Sequence, residues 1–124
     1  MENLTLSNFK IGDEGARQIF QALEQNYTLN NVIIYFNLMF KGNCLTDQGA
    51  QFISQYLLIN PTLTYLDLRD NAISDEGTKF ISQALQINRN LTFLDLSDNC
   101  LNTDGVKFIS QSLPSNSTLN ILSL

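Results

Sequence analysis

The feature that most restricts what this chain can fold into is that it repeats itself every 28 residues. Leu66-Asp67-Leu68-Arg69-Asp70-Asn71 returns as Leu94-Asp95-Leu96-Ser97-Asp98-Asn99, and Leu122-Ser123-Leu124 opens a third copy. Phe52-Ile53-Ser54-Gln55, Phe80-Ile81-Ser82-Gln83 and Phe108-Ile109-Ser110-Gln111 keep the same spacing. A weaker copy, Ile19 to Leu23, stands 34 residues before Ile53 to Leu57, so six extra residues lie between them. A period of this size marks stacked units that cannot bury an apolar face alone and share one continuous core.

Each unit has two halves. Leu-x-Leu alternates, as a strand does. In the other half Thr78, Ile81 and Leu85 fall at i, i+3 and i+7, on one face of a helix. An Asn closes the strand: Asn71, Asn99 and, in one alignment, Asn37. Its side chain both donates and accepts, so a column of asparagines can satisfy backbone groups in the bends. Helices are expected to begin at Asp13, Asp47, Asp75 and Asp104, whose carboxylates can cap free N–H groups. They are expected to end near Asn26, Asn60, Asn88 and Asn116, in a left-handed C-cap.

The phrase Leu-x-x-Leu-x-Leu-x-x-Asn-x-Leu/Ile (Leu63 to Ile73 and Leu91 to Leu101), with Asp-x-Gly helix starts, resembles the leucine-rich repeat of the ribonuclease-inhibitor type. The resemblance covers the whole chain. It implies an α/β fold, a leucine-rich repeat solenoid forming a horseshoe segment, with parallel strands on a concave face and helices on a convex face. One domain, 1–124, divides into repeats 4–31, 32–65, 66–93 and 94–121 with a terminal strand 122–124. The second repeat holds the insertion. Val32, Ile34 and Asn37 continue the upstream register, whereas Leu38, Phe40 and Asn43 continue the downstream one. β-Branched Val32-Ile33-Ile34 favours the first, which puts the insertion after the strand, as an apolar bulge at residues 38–43.

The chemistry for catalysis is sparse. The chain has no His, which removes imidazole bases, His-based triads and His metal ligands. Cys44 and Cys100 share a repeat position two periods apart, about 10 Å at strand spacing, too far for a disulfide. They are expected to be free thiols in the repeat core. The acid pairs Asp13-Glu14 and Asp75-Glu76 recur in phase at helix starts, so capping accounts for them. The sequons at Asn3, Asn26, Asn90 and Asn116 arise partly from repeat phase. No enzyme activity, metal or cofactor is expected. Seven Lys+Arg against twelve Asp+Glu, net −5, argues against nucleic acid and anionic membrane as partners. With no signal-peptide pattern at Met1 and only two cysteines, the expected compartment is cytoplasmic.

Residues between the core leucines point away from the core. Those expected on a partner-binding concave face are Ser7 beside Thr5, then Ile33, Tyr35 and Phe36, then Asp67, Arg69 and Asp70, then Asp95, Ser97 and Asp98, with Ser123 last. Asp67 should stand beside Asp95, opposing like charges. Phe52, Phe80 and Phe108 are expected to stack on one another between helices. The terminal strands leave Leu4 and Leu6 at one end, and Leu119, Leu122 and Leu124 at the other, in core phase without a covering unit. They offer an end-to-end interface for a homo-oligomer. The expected function is a protein–protein interaction module for a partner that the sequence does not name. The resembled family includes ribonuclease inhibitors, innate immune sensors, Ran GTPase-activating proteins and actin-capping proteins. The alternatives are therefore a regulator of a small GTPase and an extracellular recognition fragment.

Overall fold

A computed structural model describes residues 2–30 and 36–124, with side chains over 3–25 and 39–124. Strand and helix alternate. The order is β1 (Glu2–Thr5), α1 (Gly12–Asn30), β2 (Phe36–Met39), α2 (Asp47–Ile59), β3 (Leu63–Asp67), α3 (Asp75–Leu85), β4 (Phe93–Asp95), α4 (Thr103–Ser112), a single 3-10 turn (Leu113–Ser115) and β5 (Ile121–Ser123). The five strands form one parallel sheet in chain order. Consecutive parallel strands need a crossover, and here each crossover carries a helix. The helices pack side by side in a second layer.

The register is set by leucine. Leu4, Leu38, Leu66, Leu94 and Leu122 stand opposite one another across the sheet. Leu66, Leu68, Leu94 and Leu96 meet Ile53, Leu57, Ile81 and Leu85 in a closed core. Each such side chain contributes about 1.5–3 kcal/mol on burial.

This register corrects the placement of the insertion. Strand β2 is centred on Leu38, and Val32, Ile33, Ile34 and Tyr35 lie outside the described residues. Extra length is taken up before the strand: α1 has 19 residues, against 13, 11 and 10 for α2, α3 and α4. Residues 38–43 are not a bulge. Phe40 is fully buried, stacked on Phe20 with ring centroids 5.4 Å apart, and Phe20 also meets Tyr56 at 4.9 Å. Asn37 is therefore not in the asparagine column; it pairs in register with Tyr65, and Asn43 takes its place.

The column itself runs Asn43, Asn71, Asn99. The Asn43 side chain accepts from Phe9 N–H (3.1 Å) and Ile11 N–H (3.3 Å) and donates to the Leu6 carbonyl. That of Asn71 accepts from the N–H groups of Asn43 (3.0 Å) and Leu45 (2.9 Å) and donates to the carbonyls of Phe40 and Leu68. That of Asn99 accepts from Ile73 N–H and donates to the carbonyls of Leu68 and Leu96. Every rung ties one repeat to the one before it, through backbone groups that would otherwise be left short of partners in the bends.

A second asparagine ladder closes the opposite edge. Asn88 and Asn116 each donate from the side chain to a carbonyl of the helix one repeat back, Leu57 (2.8 Å) and Leu85 (2.7 Å). Their side-chain oxygens, like that of Asn60, accept from backbone N–H groups leading into the next strand. The expected left-handed C-cap is absent: Asn60 and Asn116 are extended, at φ −86° and −105°. Left-handed backbone collects instead just past the strands, at Asn8, Gly42, Asp70 and Asp98 (φ 63°, 70°, 57° and 55°). Asn, Gly and Asp tolerate it best, although Lys10 and Cys44 adopt it too.

The helix-start carboxylates also act between repeats. The caps of α2 and α3 are Thr46 and Ser74, whose hydroxyls accept from Gln48 N–H and Glu76 N–H. Asp13 reaches forward to accept from Thr46 N–H (2.8 Å). Asp47 accepts from Ser74 N–H (2.7 Å) and Gly77 N–H (3.0 Å), and Asp75 from Asn102 N–H (2.7 Å) and Gly105 N–H (2.9 Å). A Cβ at Gly77 would lie 2.5 Å from the Asp47 carboxylate, and one at Gly105 2.5 Å from that of Asp75. The Asp-x-Gly phrase is thus a contact between neighbours. Asp104 is not in this series: Thr103 holds the position that Asp75 holds one repeat earlier, and Asp104, exposed, pairs with Lys107 (3.3 Å) as Glu76 pairs with Lys79.

Candidate interaction face

The helices cover one face of the sheet. Among the described residues no element packs on the other, and three rows of side chains cross it. One row runs through Tyr65, Phe93 and Ile121, in register with the backbone of Asn37. The next holds Thr5, Met39, Asp67, Asp95 and Ser123. The third follows the strands' outgoing ends at Ser7, Lys41, Arg69 and Ser97, with Asp70 and Asp98 beyond.

Arg69 organises the middle of this face. Its guanidinium meets Asp67 in two bonds, 3.0 and 2.7 Å, and reaches Asp95 at 3.5 Å. Asp67 and Asp95 are opposed in register, as expected, but the like charges are bridged by one cation rather than left to repel. Both carboxylates are buried. Burial raises the Asp67 pKa, but the hydrogen bonds from the Arg69 side chain and backbone, with the field of Arg69 and Lys41, outweigh it and hold the carboxyl below its ordinary value. The same bonds from Asp67 push Arg69 further up. Asp95 also accepts from the backbone N–H (3.0 Å) and hydroxyl of Ser97. Asp70 and Asp98 are exposed.

Beside this cluster the rings of Tyr65 and Phe93 lie flat on each other, with centroids 3.9 Å apart and planes 4° from parallel. Ile121 continues the row, 54% exposed. Burial, with the charge of Asp67, raises the Tyr65 pKa. Sequence reasoning missed Tyr65 and Phe93 because it counted outward positions only after the first strand leucine. The signal was available: residues 65, 67 and 69 alternate with Leu66 and Leu68, so all three share a face.

Of the expected face residues, Asp67, Arg69, Asp95 and Ser97 come together, with Asp70 and Asp98 at their edge. Ser7 is half-buried at the other end. Ile33 and Tyr35 lie outside the described residues, and Phe36 is placed by its backbone, opposite Leu63. Met39 and Lys41 hold the places expected of Ile33 and Tyr35.

Other expectations change as well. Cys44 and Cys100 are free, but both are exposed rather than in the core. The residue between the column Asn and the next core Leu or Ile faces out, as exposed Ala72 does. Phe52, Phe80 and Phe108 are half-buried, and among the described residues they form no ring pair with one another. Helices pack 8–10 Å apart, beyond stacking distance for rings at equivalent positions. Phe108 instead lies under the Lys79 ammonium, 5.9 Å from the ring centre. At the C-terminal end Leu119 and Leu122 are half-buried and Leu124 is exposed; at the other, Leu4 and Leu6 are half-buried. Among the described residues, no group of three or more His, Cys, Asp and Glu side chains could hold a metal ion. No helix there is long and apolar enough to cross a membrane.

A family model described as "Leucine Rich repeat" matches residues 60–82 and 88–110. No curated protein matches the chain. Among solved structures, one titled leiomodin-1 actin-binding site 2 superposes with a TM-score of 0.82 and is 28% identical, over 98% of this chain and 68% of that one. The tropomodulin C-terminal domain of Caenorhabditis elegans also superposes at 0.82, over 100% of this chain and 73% of that one; at 13% identity it shows the fold alone. The phased leucines, the parallel sheet with its helical layer and these matches agree on a leucine-rich repeat fold of the α/β class.

Proposed function

We propose that this chain is a protein-interaction module that binds through the open face of its sheet, and that its partner is actin. The observation that carries the choice of partner is the 28% identity, over nearly the whole chain, to the leiomodin-1 actin-binding site 2. The 28-residue period with a helix in every repeat supports the ribonuclease-inhibitor type of array, curved with the sheet on its concave side. The face suits binding because the Asp67–Arg69–Asp95 ion pairs and the Tyr65–Phe93 stack already hold its side chains, so little ordering remains to oppose association. The module acts by binding alone, without catalysis, and in the cytoplasm, where actin is found. Pelleting with actin filaments tests the partner. Saturable co-sedimentation is expected; a protein that stays in the supernatant at every filament concentration overturns the actin assignment.

Self-association is a second reading, favoured by apolar exposure at one end. Val106, Leu113, Ile121 and Leu124 are exposed, and a depression of about 470 Å³ lies along α4 beside Leu101 and Val106. Sedimentation equilibrium is expected to show a concentration-dependent dimer that Leu124→Glu weakens; a monomer at all concentrations removes this reading.

A further inference from the structure

We propose that the Tyr65–Phe93–Ile121 row is an apolar ledge for a protein segment that carries Lys or Arg next to a large apolar side chain. The proposal deepens the open-face reading above and rests on it, but not on actin being the partner. The ledge spans three adjacent strands, about 10 Å at strand spacing. Two of its members are rings already stacked on each other and the third is a half-exposed isoleucine, so a partner's apolar side chain would meet a rigid floor. Aromatic residues supply such contact area at low entropy cost.

Charge selects the occupant. One rung from the ledge, Asp67 and Asp95 share the single Arg69 guanidinium. Asp70 and Asp98 stand beyond them, exposed, in left-handed turns, and no ion pair holds either of them among the described residues. Four carboxylates thus lie on β3, β4 and the turns just past them, where Arg69 is the one cation, with Lys41 of the neighbouring repeat as the next. An acidic surface beside an apolar ledge fits a cationic, apolar segment and repels an acidic one. A second copy of this chain is a poor fit, because each copy carries a net charge of −5.

Selection from a randomised peptide display library, with the whole chain as bait and no actin present, tests the proposal. Enriched peptides are expected to carry Lys or Arg within a few residues of an aromatic or branched aliphatic residue. A synthetic copy of one such peptide should bind about tenfold more weakly to Tyr65→Ala. It should also bind more weakly to the Asp70→Asn/Asp98→Asn pair, whose sites are exposed and leave the fold intact by circular dichroism. Binding to the unaltered protein should fall with added salt. Enrichment of acidic or uncharged peptides, no enrichment, or equal affinity for all three proteins overturns it. So does a dimer in sedimentation that the selected peptide dissociates, since a second copy would then hold the ledge. Failure of actin pelleting alone leaves this result untouched, and success of pelleting cannot rescue it.

Discussion

Leu85 and Leu113 hold the same place in consecutive repeats, yet Leu85 is fully buried and Leu113 is 38% exposed. Leu96 and Leu124 differ in the same way, at 1% and 47%. The contrast extends to polar contacts. Asp47 and Asp75 each accept from backbone N–H groups of the following repeat, whereas Thr103, which holds the same place one repeat on, is exposed. One phrase thus gives a closed core where a neighbour stacks on it and a partly open one where none does. The energetic unit of this fold is the junction between repeats more than the repeat.

The largest test of that contrast is leucine truncation. Leu94→Ala empties a closed site and should cost about 2–5 kcal/mol in denaturant unfolding, while Leu122→Ala, one repeat later, should cost clearly less. Equal losses would break the comparison. Next in size are the rungs. Asn43→Ala and Asn71→Ala should each cost about 1–3 kcal/mol, since buried backbone groups lose their partners. Asp47→Ala should fall in the same range, whereas Asp104→Ala should stay within about 0.5 kcal/mol. Gly77→Ala, normally favourable in a helix, should destabilise because its Cβ would crowd the Asp47 carboxylate.

Acid unfolding sharpens the picture at β3 and β4. The Asp67 pKa is lowered in the fold, so its contribution is present above the ordinary carboxylate range and is lost as pH falls through the lowered value. Arg69→Gln removes the main opposing influence and leaves burial, which raises the pKa. The acid transition should then move to higher pH, followed by circular dichroism. An unmoved transition would mean that the pair does not stabilise the face. The smallest effect is expected at the thiols: Cys44 and Cys100 should both react with maleimide in the native protein, with no change in melting for Cys100→Ser.

Repeat phase made the helices, the core leucines and the Asn71–Asn99 column legible in the sequence. The second strand was not legible in the same way. Val32-Ile33-Ile34 carries the stronger local β preference, but the deciding bonds join Asn43 to Phe9 and Ile11, more than thirty residues away. Local propensity loses to such tertiary contacts. Asp13, Asp47 and Asp75 were recognised as capping residues, but their partners lie in the next repeat, which no single window contains. Tyr65 and Phe93 were within reach of simple alternation. Which partner meets them is a matter of surface chemistry, on which repeat phase is silent.

The central claim, that the open sheet face and not the helical layer is the binding surface, is tested most directly by actin pelleting with two paired variants. Tyr65→Ala/Phe93→Ala alters the open face, and Ile59→Ala/Ile87→Ala trims exposed side chains at the helix ends. With both variants folded by circular dichroism, the first should bind about tenfold or more weaker than the unaltered protein, and the second should match it. Loss of binding in the helix-end pair with the open-face pair unaffected, or no binding by the unaltered protein, would contradict the account.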